Sequence, residues 1–104
     1  MANLHNQREF AGTFRRFLIY VRMCQVSIIE DELLVAFLIR DILEDQGATS
    51  FSFAATENGA VAAAIDAPPG LIASDVQLLA GSGPQAVASI RQRIGPIPVI
   101  FISA

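Results

Sequence analysis

Three short stretches of this chain, VSII at 26–29, LIASDV at 71–76 and PVIFISA at 98–104, are dominated by apolar residues. A strand with one wet face alternates apolar and polar residues. A run apolar throughout fits a strand buried on both faces, as in parallel sheets covered by helices. The intervening segments agree. From Leu33 to Gln46, Leu34, Phe37, Leu38 and Ile42 recur at helical spacing, and Gly47 is a natural stop. In SFSFAAT, Phe51 and Phe53 alternate with serines, as a second, partly exposed strand requires. Residues from Glu57 to about Asp66 are alanine-rich and helix-prone, and Pro68-Pro69-Gly70 ends them. A third helix starts near Pro84, runs through Ala86, Val87 and Ile90 to Ile94, and closes at Gly95-Pro96.

This alternation predicts an α/β, three-layer architecture, a parallel sheet of about four strands with helices on its faces. At 104 residues and 53% hydrophobic content the chain has one domain's worth of core. It carries 7 basic and 10 acidic residues, and every basic residue is arginine. Four of them, Arg8, Arg15, Arg16 and Arg22, precede Cys24, so the rest of the chain is acidic. A phosphate-cradling loop ending in Gly-Lys is excluded, and the acidic part is a poor surface for nucleic acid. The single cysteine, Cys24, has no internal disulfide partner and fits a cytoplasmic protein. No apolar segment reaches the roughly 18 to 20 residues of a membrane span.

Chemistry is expected where the strands end. In open parallel sheets, ligands bind beyond the carboxyl ends of the strands. Glu30 and Asp31 follow the first strand, Asp75 ends the apolar part of the third, and Ser103 lies at the end of the fourth. Taken singly, Glu30-Asp31-Glu32 also reads as an acidic run suited to the positive end of a helix dipole, and Asp75 as a turn cap. Taken together they are clustered carboxylates that a cation would neutralise, and oxygen ligands suit Mg2+. Asp75, on a central strand beside a flexible small-residue loop, GSG, has the setting of a carboxylate nucleophile toward phosphorus.

The segments VSIIEDELLVAFLIRDILEDQGATSFSFAAT, LIASDVQLLAGSG and PIPVIFISA, in that order, resemble the receiver domain of two-component response regulators, from about Met23 to the end. The separation of 44 residues between Asp31 and Asp75 is similar to the family's distance from acidic pair to phosphoacceptor. The phrasing DVQLLAGSG and PVIFISA looks most like receivers paired with histidine kinases of alphaproteobacterial stress and light signalling. One departure is Leu79-Ala80, where the family often has Pro-Asp or Pro-Gly.

The resemblance implies a flavodoxin-like sheet and a phosphorylation switch. Asp75 would accept a phosphoryl group from a histidine kinase or phosphotransfer protein in a phosphorelay. Glu30 through water, Asp31, Asp75 and the Gln77 backbone carbonyl would hold Mg2+, and Ser103 would hydrogen-bond the phosphoryl group. The resemblance covers the family pattern as far as the fourth strand, so a truncated receiver with an open fourth strand is expected, without the family's later lysine. An alternative is a pseudo-receiver, not phosphorylated, that serves as an interaction or dimerisation module. A phosphatase or phosphotransferase enzyme is disfavoured, because such enzymes usually place a second acid two residues after the nucleophile, where Gln77 stands.

Residues 1–22 form an N-terminal extension ahead of the receiver-like part, 23–104. Phe10, Phe14, Phe17, Leu18 and Val21 define one helical face, with the arginines largely elsewhere. The expectation is an amphipathic helix over residues 7–22 that takes the place of the family's fifth helix, on its own subunit or a partner; the alternatives are an upstream start, with Met23 the natural beginning, and a basic membrane-surface helix. An open fourth strand also implies a homodimer.

Overall fold

The computed structural model describes residues 25–102. Seven elements follow in order: β1 (Gln25–Ile29), α1 (Leu33–Asp45), β2 (Ser50–Ala54), α2 (Glu57–Asp66), β3 (Leu71–Asp75), α3 (Gly83–Ile94) and β4 (Val99–Ile102). The strands form one parallel sheet in the order β2-β1-β3-β4. Parallel neighbours need a crossover, and each one here is a helix.

The two faces of the sheet explain the apolar runs. On one, Val26 and Ile28 of β1 and Leu71 and Ala73 of β3 cluster with Ala36, Ile39 and Leu43 of α1. On the other, Ile29 and Ile72 meet Ala60 and Ala64 of α2 and Ala86, Val87 and Ile90 of α3. Consecutive residues of β3 therefore serve opposite cores, and the runs stay apolar except for the buried Ser27 and Ser74. Each large side chain so buried contributes roughly 1.5–3 kcal/mol.

The helices stop and start where their sequences indicate. Gly47 follows α1 with φ 109°, a conformation that glycine adopts without steric cost. Thr56 caps α2 by accepting from Gly59 N at 3.0 Å, and Ser82 caps α3 by accepting from Gln85 N at 3.2 Å. The first residue of α3 is Gly83, one before Pro84.

Two expectations need correction. PVIFISA has the composition of a fully buried strand, yet β4 is an edge strand with Phe101 exposed and Val99, Ile100 and Ile102 half-buried. It has one strand neighbour, and among the described residues no helix after β4 covers its outer side. The open fourth strand expected from the family resemblance is what this order presents. The acidic run, moreover, does not occupy the first turn of α1, which contains no acidic residue. Glu32 is the N-cap but makes no side-chain cap bond.

The expected helix over residues 7–22 and Ser103 lie outside the described residues. Among the described residues no helix is long and apolar enough to cross a membrane.

Candidate functional site

The topology creates a crevice. From β1 the chain crosses to β2 on one side and returns to β3 on the other, so the helices that follow β1 and β3 leave in different directions. Register sets the levels: Ile29 lies beside Ser74, so Glu30 and Asp31 emerge level with Asp75 and just above it. Sequence neighbours of a strand end thus become spatial neighbours of a residue more than 40 positions away.

There the three carboxylates converge. Glu30, Asp31 and Asp75 each offer an oxygen within 4.8 Å of the others, and all three are half-buried. Backbone donors orient them: Val76 N donates to Asp75 Oδ1 at 2.8 Å, Leu79 N to Asp31 Oδ2 at 2.8 Å, and Asp31 N to Glu30 Oε2 at 2.9 Å. The bond from Leu79 ties the loop after β3 to the end of β1. Beside this cluster lies an open cleft of about 430 Å³ lined by Asp31, Glu32, Asp75, Val76, Gln77, Leu78 and Leu79. Gln77, expected as a ligand through its backbone, therefore forms part of the wall next to Asp75.

Burial and crowded negative charge act together on one of these carboxyls. Burial pushes the Glu30 carboxyl up from 4.5 to about 7, aided by its hydrogen bond to Asp75 and by the negative charge there. The ion pair among the described residues, Arg40 with Asp41 at 2.9 Å, lies on the exposed side of α1 and leaves the cluster uncompensated. An all-oxygen set short of positive charge, open to a cleft that admits water, fits Mg2+. It does not fit a soft metal, since no sulfur or imidazole is among the clustered ligands.

The loop from Val76 to Ser82 is held more firmly than its small residues suggested. Gly83 N donates to Val76 O at 3.1 Å and Glu57 N to Ala80 O at 3.1 Å, while Gly81 turns the chain with φ 89°. Gly83 has a role that the sequence did not reveal. A Cβ there would stand 2.5 Å from Ser74 Oγ and 2.9 Å from the Asp75 carbonyl carbon, and closer still to the Asp75 carbonyl oxygen. Its missing side chain lets the start of α3 press against the end of β3. In a single sequence a glycine of close approach and a glycine of a turn look the same, so no signal distinguished it.

The chain has relatives among known proteins. The family model for the response regulator receiver domain matches residues 26–104. The phyllosphere-induced regulator PhyR of Methylorubrum extorquens is 36% identical over 81 residues, covering 77% of this chain and 30% of that protein. The solution structure of the receiver domain of PhyR from Erythrobacter litoralis superposes with a TM-score of 0.73 at 36% identity, over 80% of this chain and 64% of that one. The anti-anti-sigma factor PhyR from Bartonella quintana, crystallised with the anti-sigma factor NepR, gives 0.70 at 42% identity, over 75% of this chain and 32% of that one. The chain thus spans less than a third of the curated relative it matches.

Proposed function

Because the chain belongs to the response regulator receiver domain family, we propose that Asp75 accepts a phosphoryl group from the phosphohistidine of a histidine kinase or phosphotransfer protein. The observation that carries this reading is the meeting of Glu30, Asp31 and Asp75 within 4.8 Å at the carboxyl ends of adjacent parallel strands. Of the three, Asp75 alone ends an interior strand.

In the proposed step an oxygen of the Asp75 carboxylate bonds to phosphorus as the phosphorus–nitrogen bond breaks. The electron pair leaves with the imidazole, which takes up a proton from water, and an acyl phosphate remains on Asp75. Val76 N–H holds Oδ1, so the other carboxylate oxygen is the attacking atom. Leu79 N–H keeps Asp31 in place beside it. Glu30 through water, Asp31, Asp75 and the Gln77 carbonyl are the groups that would hold Mg2+, which when bound supplies positive charge opposite the phosphoryl oxygens. Ser103 is the proposed hydrogen-bond donor to the phosphoryl group.

The relatives also suggest an output. An anti-sigma factor is the partner class we propose downstream, by analogy with the PhyR complex of Bartonella quintana. The direct test is transfer from a radiolabelled phosphohistidine donor. Label should pass to the chain only with Mg2+, and Asp75→Asn should abolish it. Retention of label by the donor, with wild-type chain and Mg2+ both present, would refute the proposal.

A further inference from the structure

One face of α1 has no partner among the described residues. Leu34, Leu38 and Ile42 recur every fourth residue and are 83%, 59% and 54% exposed. The direction of this stripe follows from its neighbours. On the opposite flank, Phe37 meets Phe53 of β2 edge-on at 5.9 Å, so at 100° per residue Leu34 lies on the outward side of the helix, and Leu38 and Ile42 on the flank toward β3 and β4. There Ile100 and Ile102 of β4 are only half-buried against the same core. Together they outline an apolar trough beside α1, floored by β4. α2 and α3 occupy the opposite face of the sheet.

We propose that the chain's own residues 7–22, as an amphipathic helix parallel to α1, fill this trough. Tether length restricts the choice. Three residue steps separate Arg22 from Gln25, the first residue of β1, and they reach only about 10 Å. That spans one helix-on-sheet layer, so the helix must lie close to the amino end of β1. The face of α2 and α3 is filled there, and among the described residues the trough is open. Length agrees as well: 16 helical residues extend about 24 Å against about 20 Å for α1.

Charge supports the same placement. At 100° per residue, Phe10, Phe14, Phe17, Leu18 and Val21 share one face, and Arg8, Arg15 and Arg22, seven residues apart, line one flank of it. With the helix parallel to α1 and its apolar face shared between the sheet and α1, that flank is the upper one, beside α1. The same rotation places Asp41 and Asp45 along the outer margin of the α1 stripe. Arg15 and Arg22 thereby come opposite Asp45 and an Asp41 that Arg40 already holds at 2.9 Å. An antiparallel helix would carry the arginines to the far side, away from α1.

Cross-linking tests the proposal. In a Cys24→Ser background, Leu18→Cys with Ile42→Cys should form a disulfide within the monomer, because both positions face the shared seam near its lower end. Arg16→Cys with Ile42→Cys, on the far side of the helix, should not. Equal oxidation of both pairs, or no intrachain bond in the first, overturns the proposal. A bond formed only between two chains overturns it in favour of exchange with a second copy. Hydrogen exchange on the unmodified chain gives an independent readout: amides of residues 10–21 should be protected, and exchange at unstructured-chain rates would likewise overturn it.

Discussion

Replacement of Gly83 by alanine separates two opposed effects whose sizes differ enough to be measured. Helix propensity alone favours the change, since alanine exceeds glycine by about 1 kcal/mol within a helix. Close approach opposes it. The new Cβ would stand 2.5 Å from Ser74 Oγ and 2.9 Å from the Asp75 carbonyl carbon, and nearer to that carbonyl's oxygen. Ser74 is fully buried, and its hydroxyl donates to the Asp75 carbonyl oxygen at 2.8 Å, so rotating it away loses a bond as well. The backbone of β3 is paired to β1 and β4 and cannot retreat, so α3 must move outward. Overpacking of this kind costs about 1–3 kcal/mol, and a clash with backbone belongs at the upper end. The net expectation is a loss of about 2 kcal/mol, equivalent to a fall in Tm of roughly 10–15 °C for a domain of this size. Urea unfolding followed by far-UV circular dichroism measures it. Gly59→Ala is the control: the nearest atom to its new Cβ is the Thr56 hydroxyl oxygen at 3.0 Å, so a shift there involves one capping side chain and no backbone. It should stay within about 1 kcal/mol of the parent. If Gly83→Ala matches Gly59→Ala, or stabilises the chain, the close approach of α3 to Asp75 is wrong.

Three further outcomes follow from the same structure. Glu30 titrates at about 7 in the folded chain against 4.5 for the free group. The folded state therefore holds that proton longer, and its stabilising effect is full below pH 4.5 and lost as pH rises through 7. Because Glu30 is half exposed, about 1 kcal/mol is the expected size in metal-free buffer, read by denaturation at several pH values; stability unchanged across that window, or rising, contradicts the burial of Glu30 beside Asp75. Ser27 Oγ is buried with no hydrogen-bond partner, so Ser27→Ala should leave stability unchanged or raise it by up to about 1 kcal/mol in the same assay. Thr56→Ala removes the cap of α2 and should cost about 1 kcal/mol, and no loss would show that the hydroxyl's bond to Gly59 N contributes nothing.

The sequence made the order of elements legible because two independent signals coincided: apolar runs of strand length, and helical periodicity closed by Gly47, Pro68 and Gly95. Asp75 was legible for a related reason, as a charge ending a run too apolar to be anything but interior. What stayed hidden depends on distance through space. The bond from Leu79 N to Asp31 links positions 48 apart, and nothing local in either segment encodes it. Glu30 and Asp31 read equally well as the start of a helix until the register placed them against Asp75. The burial of β4 was overestimated because its composition matches β3, whereas its exposure depends on which strands and helices flank it. Small residues after Asp75 suggested freedom of movement, and Gly83 instead marks contact.

The central claim is that Asp75 is a phosphoacceptor, and intact-mass spectrometry of the chain after incubation with acetyl phosphate tests it most directly. With Mg2+ present, the account predicts one phosphoryl adduct per chain, mapped to Asp75 after borohydride reduction, and none in Asp75→Asn or in excess chelator. An adduct that persists in Asp75→Asn, or none on the wild-type chain at saturating acetyl phosphate and Mg2+, would contradict it.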